Sequence, residues 1–220
     1  MSDVASKPAV KLPVVILISG TGSNMQRLAL LAQSGQLPID IKAVISDRAS
    51  AQGLATAAQL GINTATLSPK QYTDRAQYDV ALGELVASYA PQLVVLAGFM
   101  RILSDGFIAR FADRMINIHP SLLPKYRGLH THQRAIEAGD LEHGASVHFV
   151  TQELDAGAVI MQARVPVLPA DSSDTLAQRV LEREHYLFPE AVRLIATGRI
   201  TSRNGSVWLD DQELSEPIQV

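Results

Sequence analysis

The chain has 220 residues, 47% of them hydrophobic, which is enough for one sizeable core and points to a single domain. Its formal net charge of -3 lacks the basic excess that a nucleic-acid binder needs to displace counterions, so no nucleic-acid partner is expected. With 0 cysteines, disulfides, thiolate nucleophiles and cysteine-held metals are excluded; with no signal-peptide core and no run long enough to span a bilayer, a cytoplasmic protein without a membrane partner is expected.

Residues 1–12 read as a flexible lead-in, residues 13–210 as one domain and residues 211–220 as a C-terminal tail. Val14–Ile18 is a continuous β-branched apolar run, the pattern of a strand buried on both faces of a parallel sheet. It ends in "SGTGSN", and Met25–Gln33 follows with Met25, Leu28 and Leu31 at helical spacing. A strand over Ile41–Ser46, a helix over Ala51–Leu60 stopped by Gly61, and a short strand over Asn63–Leu67 come next. A helix over Thr73–Tyr89 leads to the buried strand Leu93–Gly98. A short helix over Leu103–Phe111 and a strand over Arg114–His119 complete the alternation. This order predicts an α/β fold, a Rossmann-like open and mostly parallel sheet with helices on both faces.

The second half reads differently. Thr131–Gly139 opens a helix with Thr131 near its N-cap. Ser146–Thr151 and Val159–Val167 are expected to form an antiparallel pair around a functional loop, "QELDAGA". A long amphipathic helix is expected over Thr175–Thr197, interrupted at Pro189, and "RNGS" then marks a hairpin turn.

Ligands of open parallel sheets bind beyond the carboxyl ends of the strands, which draws attention to three loops: Ser19–Asn24, Gly98–Leu103 and His119–Gly128. In the first, Gly20 and Gly22 let the backbone approach a phosphate, and the Ser23 and Asn24 amides lie at the positive end of a helix. Met25 stands where a dinucleotide fingerprint wants a third glycine. Asp47 closes the second strand as that fingerprint would ask, so the missing glycine weakens the dinucleotide reading without removing it; a single phosphomonoester fits better than a pyrophosphate, with a plain tight turn as the alternative. In the second loop, Arg101 directly after a buried strand either binds a carboxylate or caps a helix.

In the third, "NIH" puts Asn117 and His119 two residues apart on one face of a strand end. An amide donor beside a group that titrates near neutrality suits a carbonyl about to become an oxyanion, where one donor contributes about 3–4 kcal/mol. Asp155 in "ELDAG" either orients His119 or is an ordinary turn residue before Gly157. The H-x-H spacing of His130 and His132 is a weak metal signal with no completing ligand, so no metal is expected. His148, inside a strand, reads as a packed or hydrogen-bonded residue.

The segments "ISGTGSNMQ", "AGFMRIL", "INIHPSLLPKYRGLHTH", "HGASVHFV" and "ELDAGAVI" together resemble the formyltetrahydrofolate-using formyltransferases, and within them the phosphoribosylglycinamide formyltransferase family. The resemblance runs from about Val14 to Trp208. It implies a monomer or homodimer acting on small molecules. The co-substrate would be 10-formyltetrahydrofolate, with no metal, and the formyl group would pass to the amine of 5-phosphoribosylglycinamide. It implies Asn117, His119 and Asp155 as the catalytic trio. It also implies a folate site at Arg75, Met100, Arg101, Ile102 and Leu103 with Asn117 shared, and a ribonucleotide site at Gly22, Ser23, Asn24 and Glu184. Where that family often carries Pro after the Tyr of "LPKY", this chain has Arg127.

Other readings remain open at this stage. A methionyl-tRNA formyltransferase or a formyltetrahydrofolate hydrolase would be expected to carry a further domain. A nicotinamide dehydrogenase is opposed by Met25, and a non-catalytic nucleotide-binding module would have no use for His119.

Overall fold

Eight strands form one sheet in the order β11 (Ile218–Gln219), β7 (Val159–Pro166), β6 (Glu142–Phe149), β5 (Met115–His119), β4 (Leu93–Leu96), β1 (Leu12–Ile18), β2 (Ile39–Ser46), β3 (Thr64–Thr66), and the first five of the chain run parallel within it. The computed structural model describes residues 11–220, so most of the expected lead-in lies outside the described residues. In chain order the parallel part comprises β1 (Leu12–Ile18), α1 (Ser23–Gln33), β2 (Ile39–Ser46), α2 (Gln52–Gln59), β3 (Thr64–Thr66), α3 (Arg75–Ser88), β4 (Leu93–Leu96), α4 (Asp105–Arg110) and β5 (Met115–His119). The expected alternation is present, with strand and helix ends shifted by one to two residues.

The period-2 geometry of a strand explains the continuous apolar runs. Val14, Ile16 and Ile18 of β1 join one core cluster with Met25, Leu28 and Phe188. Val15 and Leu17 enter a second cluster on the other face with Tyr78, Leu82 and Phe107. Because β1 is flanked by β2 on one side and β4 on the other, the crevice between the loops after β1 and β4 is the switch point where such sheets take ligands.

Past β5 the direction changes. After α5 (Thr131–Glu137), β6 (Glu142–Phe149) pairs antiparallel with β5 and with β7 (Val159–Pro166). Strand β6 begins four residues before the expected Ser146, because His143 and Gly144 continue the ladder with β7. Gly144 is required there, since a Cβ would lie 1.9 Å from the Ala163 carbonyl oxygen.

Helix α6 (Ser173–Ala196) packs on β6 and β7 and is not interrupted at Pro189. Proline has no N–H for the carbonyl four residues back, which is that of His185. Arg27 Nε donates to this carbonyl at 3.3 Å, supplying the missing bond from α1.

The hairpin of β8 (Ile200–Arg203) and β9 (Ser206–Leu209) turns on Asn204 and Gly205, both at positive φ as a type I′ turn demands. The segment set apart as a tail carries β10 (Gln212–Glu213) and β11 (Ile218–Gln219), and β11 pairs with Met161 and Gln162 of β7 at the edge of the main sheet. Among the described residues no helix is long and apolar enough to cross a membrane.

Candidate active site

The glycine turn is set by backbone geometry. Gly22 sits at φ 73° before α1, and a Cβ on it would come within 2.9 Å of Gly53 Cα. A Cβ on Gly20, by contrast, would meet nothing within 4 Å. Gly53 N donates to the Gly20 carbonyl at 3.1 Å and clamps the turn onto α2. No side chain caps α1, so its first amides, Ser23 and Asn24 among them, keep the unpaired donors of a helix start.

Asn24 is 9% exposed, and its Nδ2 donates to Glu184 Oε2 at 2.7 Å, while its Oδ1 is buried without a partner. Glu184, 8% exposed on α6, has its carboxyl pKa pushed up to about 7 by burial, which the Asn24 bond only partly offsets. The four residues implied for the ribonucleotide therefore meet at the junction of the turn and α6.

The loop after β4 is pinned along its length. Met100 N donates to Ser19 Oγ at 2.9 Å, Arg75 Nη2 to the Leu103 carbonyl at 2.7 Å, and Ser104 N to Asp79 Oδ2 at 2.6 Å. Between these ties the Arg101 guanidinium lies 4.7 Å over the Tyr78 ring, and Met100 and Ile102 are exposed. Arg101 is not a helix cap, because Ser104 caps α4. Arg75 supports the loop through the Leu103 carbonyl.

Beside the loop runs a narrow cleft of about 90 Å³, lined by Arg101, Ile102, Leu103, Asn117, His148 and Asp155 among others. A larger hollow of about 390 Å³ lies by the start of β2, away from the strand carboxyl ends; Lys11, Asp40 and Lys42 line it, and Asp40 pairs with Lys42. Only the smaller cleft gathers converging polar groups at strand carboxyl ends, and on that chemistry it is the candidate site.

The trio meets at one corner. His119 Nδ1 lies 3.4 Å from Asp155 Oδ2, and His119 Nε2 lies 2.9 Å from the Tyr126 carbonyl oxygen. A carbonyl only accepts, so Nε2 carries a proton, and protonation of the ring lets Nδ1 donate to the carboxylate. Asp155 Oδ2 also accepts from Gly128 N at 2.9 Å, which joins the two loops on either side of the corner. Asp155 itself holds φ 49°, a left-handed turn conformation that Asp adopts more readily than most non-glycine residues.

His148 belongs to this corner, a role its place in the strand did not disclose. It faces Asn117 across the β5–β6 ladder, with Asn117 Nδ2 3.1 Å from His148 Nε2. His148 Nδ1 donates to the Phe149 carbonyl at 2.9 Å, so a neutral ring accepts at Nε2 and orients the Asn117 amide. Burial pulls the His148 pKa down, against the pull of Asp155 Oδ1 at 3.7 Å, and favours that neutral form. The signal in the sequence was present but needed the register: only an antiparallel β6 opposes residue 148 to residue 117.

His130 and His132 do not join His119. His130 takes the position before α5, one residue ahead of the expected Thr131, whose hydroxyl instead donates to the Pro120 carbonyl at 2.6 Å. His132 Nδ1 pairs with His143 Nε2 at 3.1 Å, and burial lowers both pKa values, that of His143 to about 4. Among the described residues no group of three or more His, Asp or Glu side chains is arranged to hold a metal ion.

Comparison with known proteins agrees with this layout. Residues 12–192 match the model of the formyl transferase family. The chain is 49% identical over 201 residues to a phosphoribosylglycinamide formyltransferase of Escherichia coli (strain K12), covering 91% of this chain and 95% of that protein. Its fold is similar to the phosphoribosylglycinamide formyltransferase of Coxiella burnetii solved in complex with CHES, with a TM-score of 0.91 and 46% identity over 95% of this chain and 99% of that one. It is also similar to glycinamide ribonucleotide transformylase 1 of Symbiobacterium toebii, with a TM-score of 0.88 and 40% identity over 90% of this chain and 94% of that one. A match of this extent leaves one conclusion: the chain belongs to the formyl transferase family, among its phosphoribosylglycinamide formyltransferases.

Proposed function

We propose that this chain, an enzyme of purine biosynthesis, passes a formyl group from 10-formyltetrahydrofolate to the amine of 5-phosphoribosylglycinamide by direct attack. The observation that carries the reading is the corner itself, one imidazole set between a carboxylate and a backbone carbonyl with an amide donor on the same strand face. The incoming amine needs no covalent help from the enzyme; the developing oxyanion and the leaving folate nitrogen need donors and a proton.

In this reading Asn117 donates to the oxyanion, with its amide turned to the cleft by His148. His119 carries the proton; Nε2 is held by the Tyr126 carbonyl, so the working edge is Nδ1, the edge facing Asp155, which itself lines the cleft. Asp155 steadies and orients that edge. The 3.4 Å separation is long for a hydrogen bond, and catalytic contacts of this kind tighten when substrate arrives.

The spacing of the parts supports the choice of substrates. Leu17, Leu96 and Asn117 lie in one row across β1, β4 and β5, so the turn after β1 and His119 are two strand spacings apart, about 10 Å. A single ribonucleotide spans that gap with its phosphate at the helix start and its amine at the corner. The cleft, with Leu96, Phe99, Ile102 and Leu103 on its wall and the exposed Met100 next in the same loop, offers an apolar slot for the folate ring.

The deciding assay mixes purified protein with 10-formyltetrahydrofolate, with and without the ribonucleotide. Formyl transfer that requires the ribonucleotide is the expected result. Equal deformylation without it would make the protein a hydrolase and overturn the reading.

A further inference from the structure

Asp47 directly follows β2 and is 5% exposed, yet neither the ribonucleotide reading nor the folate reading uses it. Its Oδ1 accepts from Ser19 Oγ at 2.6 Å, and its other oxygen lies 3.8 Å from Arg48 Nε, which sits on a largely exposed side chain. Ser19, 3% exposed, is the last residue before the glycine turn. Its hydroxyl has a single proton, and the carboxylate is an acceptor only, so that proton goes to Asp47 and a lone pair faces the Met100 N–H.

This arrangement lengthens the sheet by one rung. The β1–β4 ladder continues through Ala97 N to the Leu17 carbonyl and Ser19 N to the Gly98 carbonyl, then has no further backbone pairing toward Met100. The Ser19 side chain makes the next bond instead, across to the loop that carries Met100 and Ile102. The far end of the loop is held independently by Arg75 and Asp79.

We propose that Ser19 and Asp47 form a strut that sets the folate loop, residues 98–104, against the glycine turn, with Ser19 as a positioning residue for the co-substrate. The proposal rests on the reading of that loop as the folate wall. Ser19→Ala removes the acceptor of Met100 N–H and the donor to a buried carboxylate, while the backbone bonds that hold the turn remain.

The test has two arms. Hydrogen–deuterium exchange on the ligand-free protein reads the Met100 amide, and steady-state kinetics read KM for 10-formyltetrahydrofolate and for the ribonucleotide. Ser19→Ala is expected to speed Met100 exchange and raise the folate KM about tenfold each, the size of one lost hydrogen bond, with the ribonucleotide KM changed less than about twofold. Asp47→Asn keeps an oxygen for the Ser19 hydroxyl and is expected to stay near wild type in both arms. Asp47→Ala is expected to resemble Ser19→Ala, and the double variant to be no worse than either single change, as befits one device. Unchanged Met100 exchange in Ser19→Ala, equal rises in both KM values, or additive single effects would each overturn the strut. Failure of the wild-type protein to transfer formyl would instead strike the functional reading, and the exchange arm would still decide whether the strut exists.

Discussion

The glycine turn after β1 and the histidine corner beyond β5 lie at the same end of one sheet, yet they are held by opposite means. The turn is a backbone object: Gly22 at positive φ, Gly53 packed on its Cα, and amides left open by a helix start. The corner is a side-chain object, in which His119 and Asn117 of one strand, His148 of its antiparallel neighbour and Asp155 of a distant loop satisfy one another. A binding loop for an anion needs only donors aimed at one point. Proton transfer needs named atoms at bonding distance, so it draws on groups far apart in the chain.

Mutations that strike each region separately sharpen this contrast. The largest effect belongs to the corner. His119→Ala is expected to lower kcat about 10³-fold, roughly 4 kcal/mol, with both KM values little changed and the circular dichroism spectrum intact. Turnover within about tenfold of wild type would remove the proton carrier from the account. Asp155→Asn keeps an acceptor for Gly128 N and loses the charge, so a smaller fall in kcat is expected.

Next in size is the floor beneath the turn. The Glu184 carboxyl has a pKa of about 7 in the folded protein against an ordinary value of 4.5. Between those two values the folded protein holds a proton that the unfolded chain has released, so this group costs stability as pH rises from 4.5 to 7 and the cost levels off above. Glu184→Gln removes the charge, and the ligand-free variant is expected to gain up to about 2–3 kcal/mol over wild type at pH 8 and almost nothing at pH 4. Thermal unfolding at the two pH values reads the difference; an equal gain at both would show that the buried charge is not its source.

Gly22→Ala attacks the turn directly. The left-handed backbone costs a non-glycine residue about 1–2 kcal/mol, and the new methyl meets Gly53 Cα. Titration with the ribonucleotide is expected to show about tenfold weaker binding, while folate KM stays near wild type, which a corner mutation does not reproduce. The smallest effect is at the rim of the corner. Arg127 pairs with Glu153, joining the segment after β5 to the Asp155 loop, but both side chains are solvent-exposed. Arg127→Ala is expected to cost under about 1 kcal/mol, seen as a slight rise in folate KM that disappears at high salt.

Much of the parallel half was legible because its signals are local. A both-face-buried strand announces itself as an unbroken β-branched run, and the loops to watch follow from where such strands end. Asn117 and His119 were paired by strand geometry alone, since residues two apart share a face. The pairing of Asp155 with His119 was legible only through the family resemblance; on spacing it was as good a turn residue as a catalytic one. Pro189 shows the opposite error. Its ring argued for a broken helix, and a tertiary bond from Arg27 to the stranded His185 carbonyl lets the helix run on.

By itself, then, the sequence determined the element order, the glycine turn before the first helix and the strand end that presents Asn117 with His119, because φ/ψ preference, side-chain period and helix-end donors act over a few residues. The tertiary structure decided which distant groups touch: His148 opposite Asn117 through the antiparallel register, Asp155 against both histidines, Asp47 through Ser19 to Met100, and the last strand returning to the sheet edge. Those contacts depend on how strands pair and loops fold over them, and nothing in the local sequence encodes the distance between side chains from separate segments.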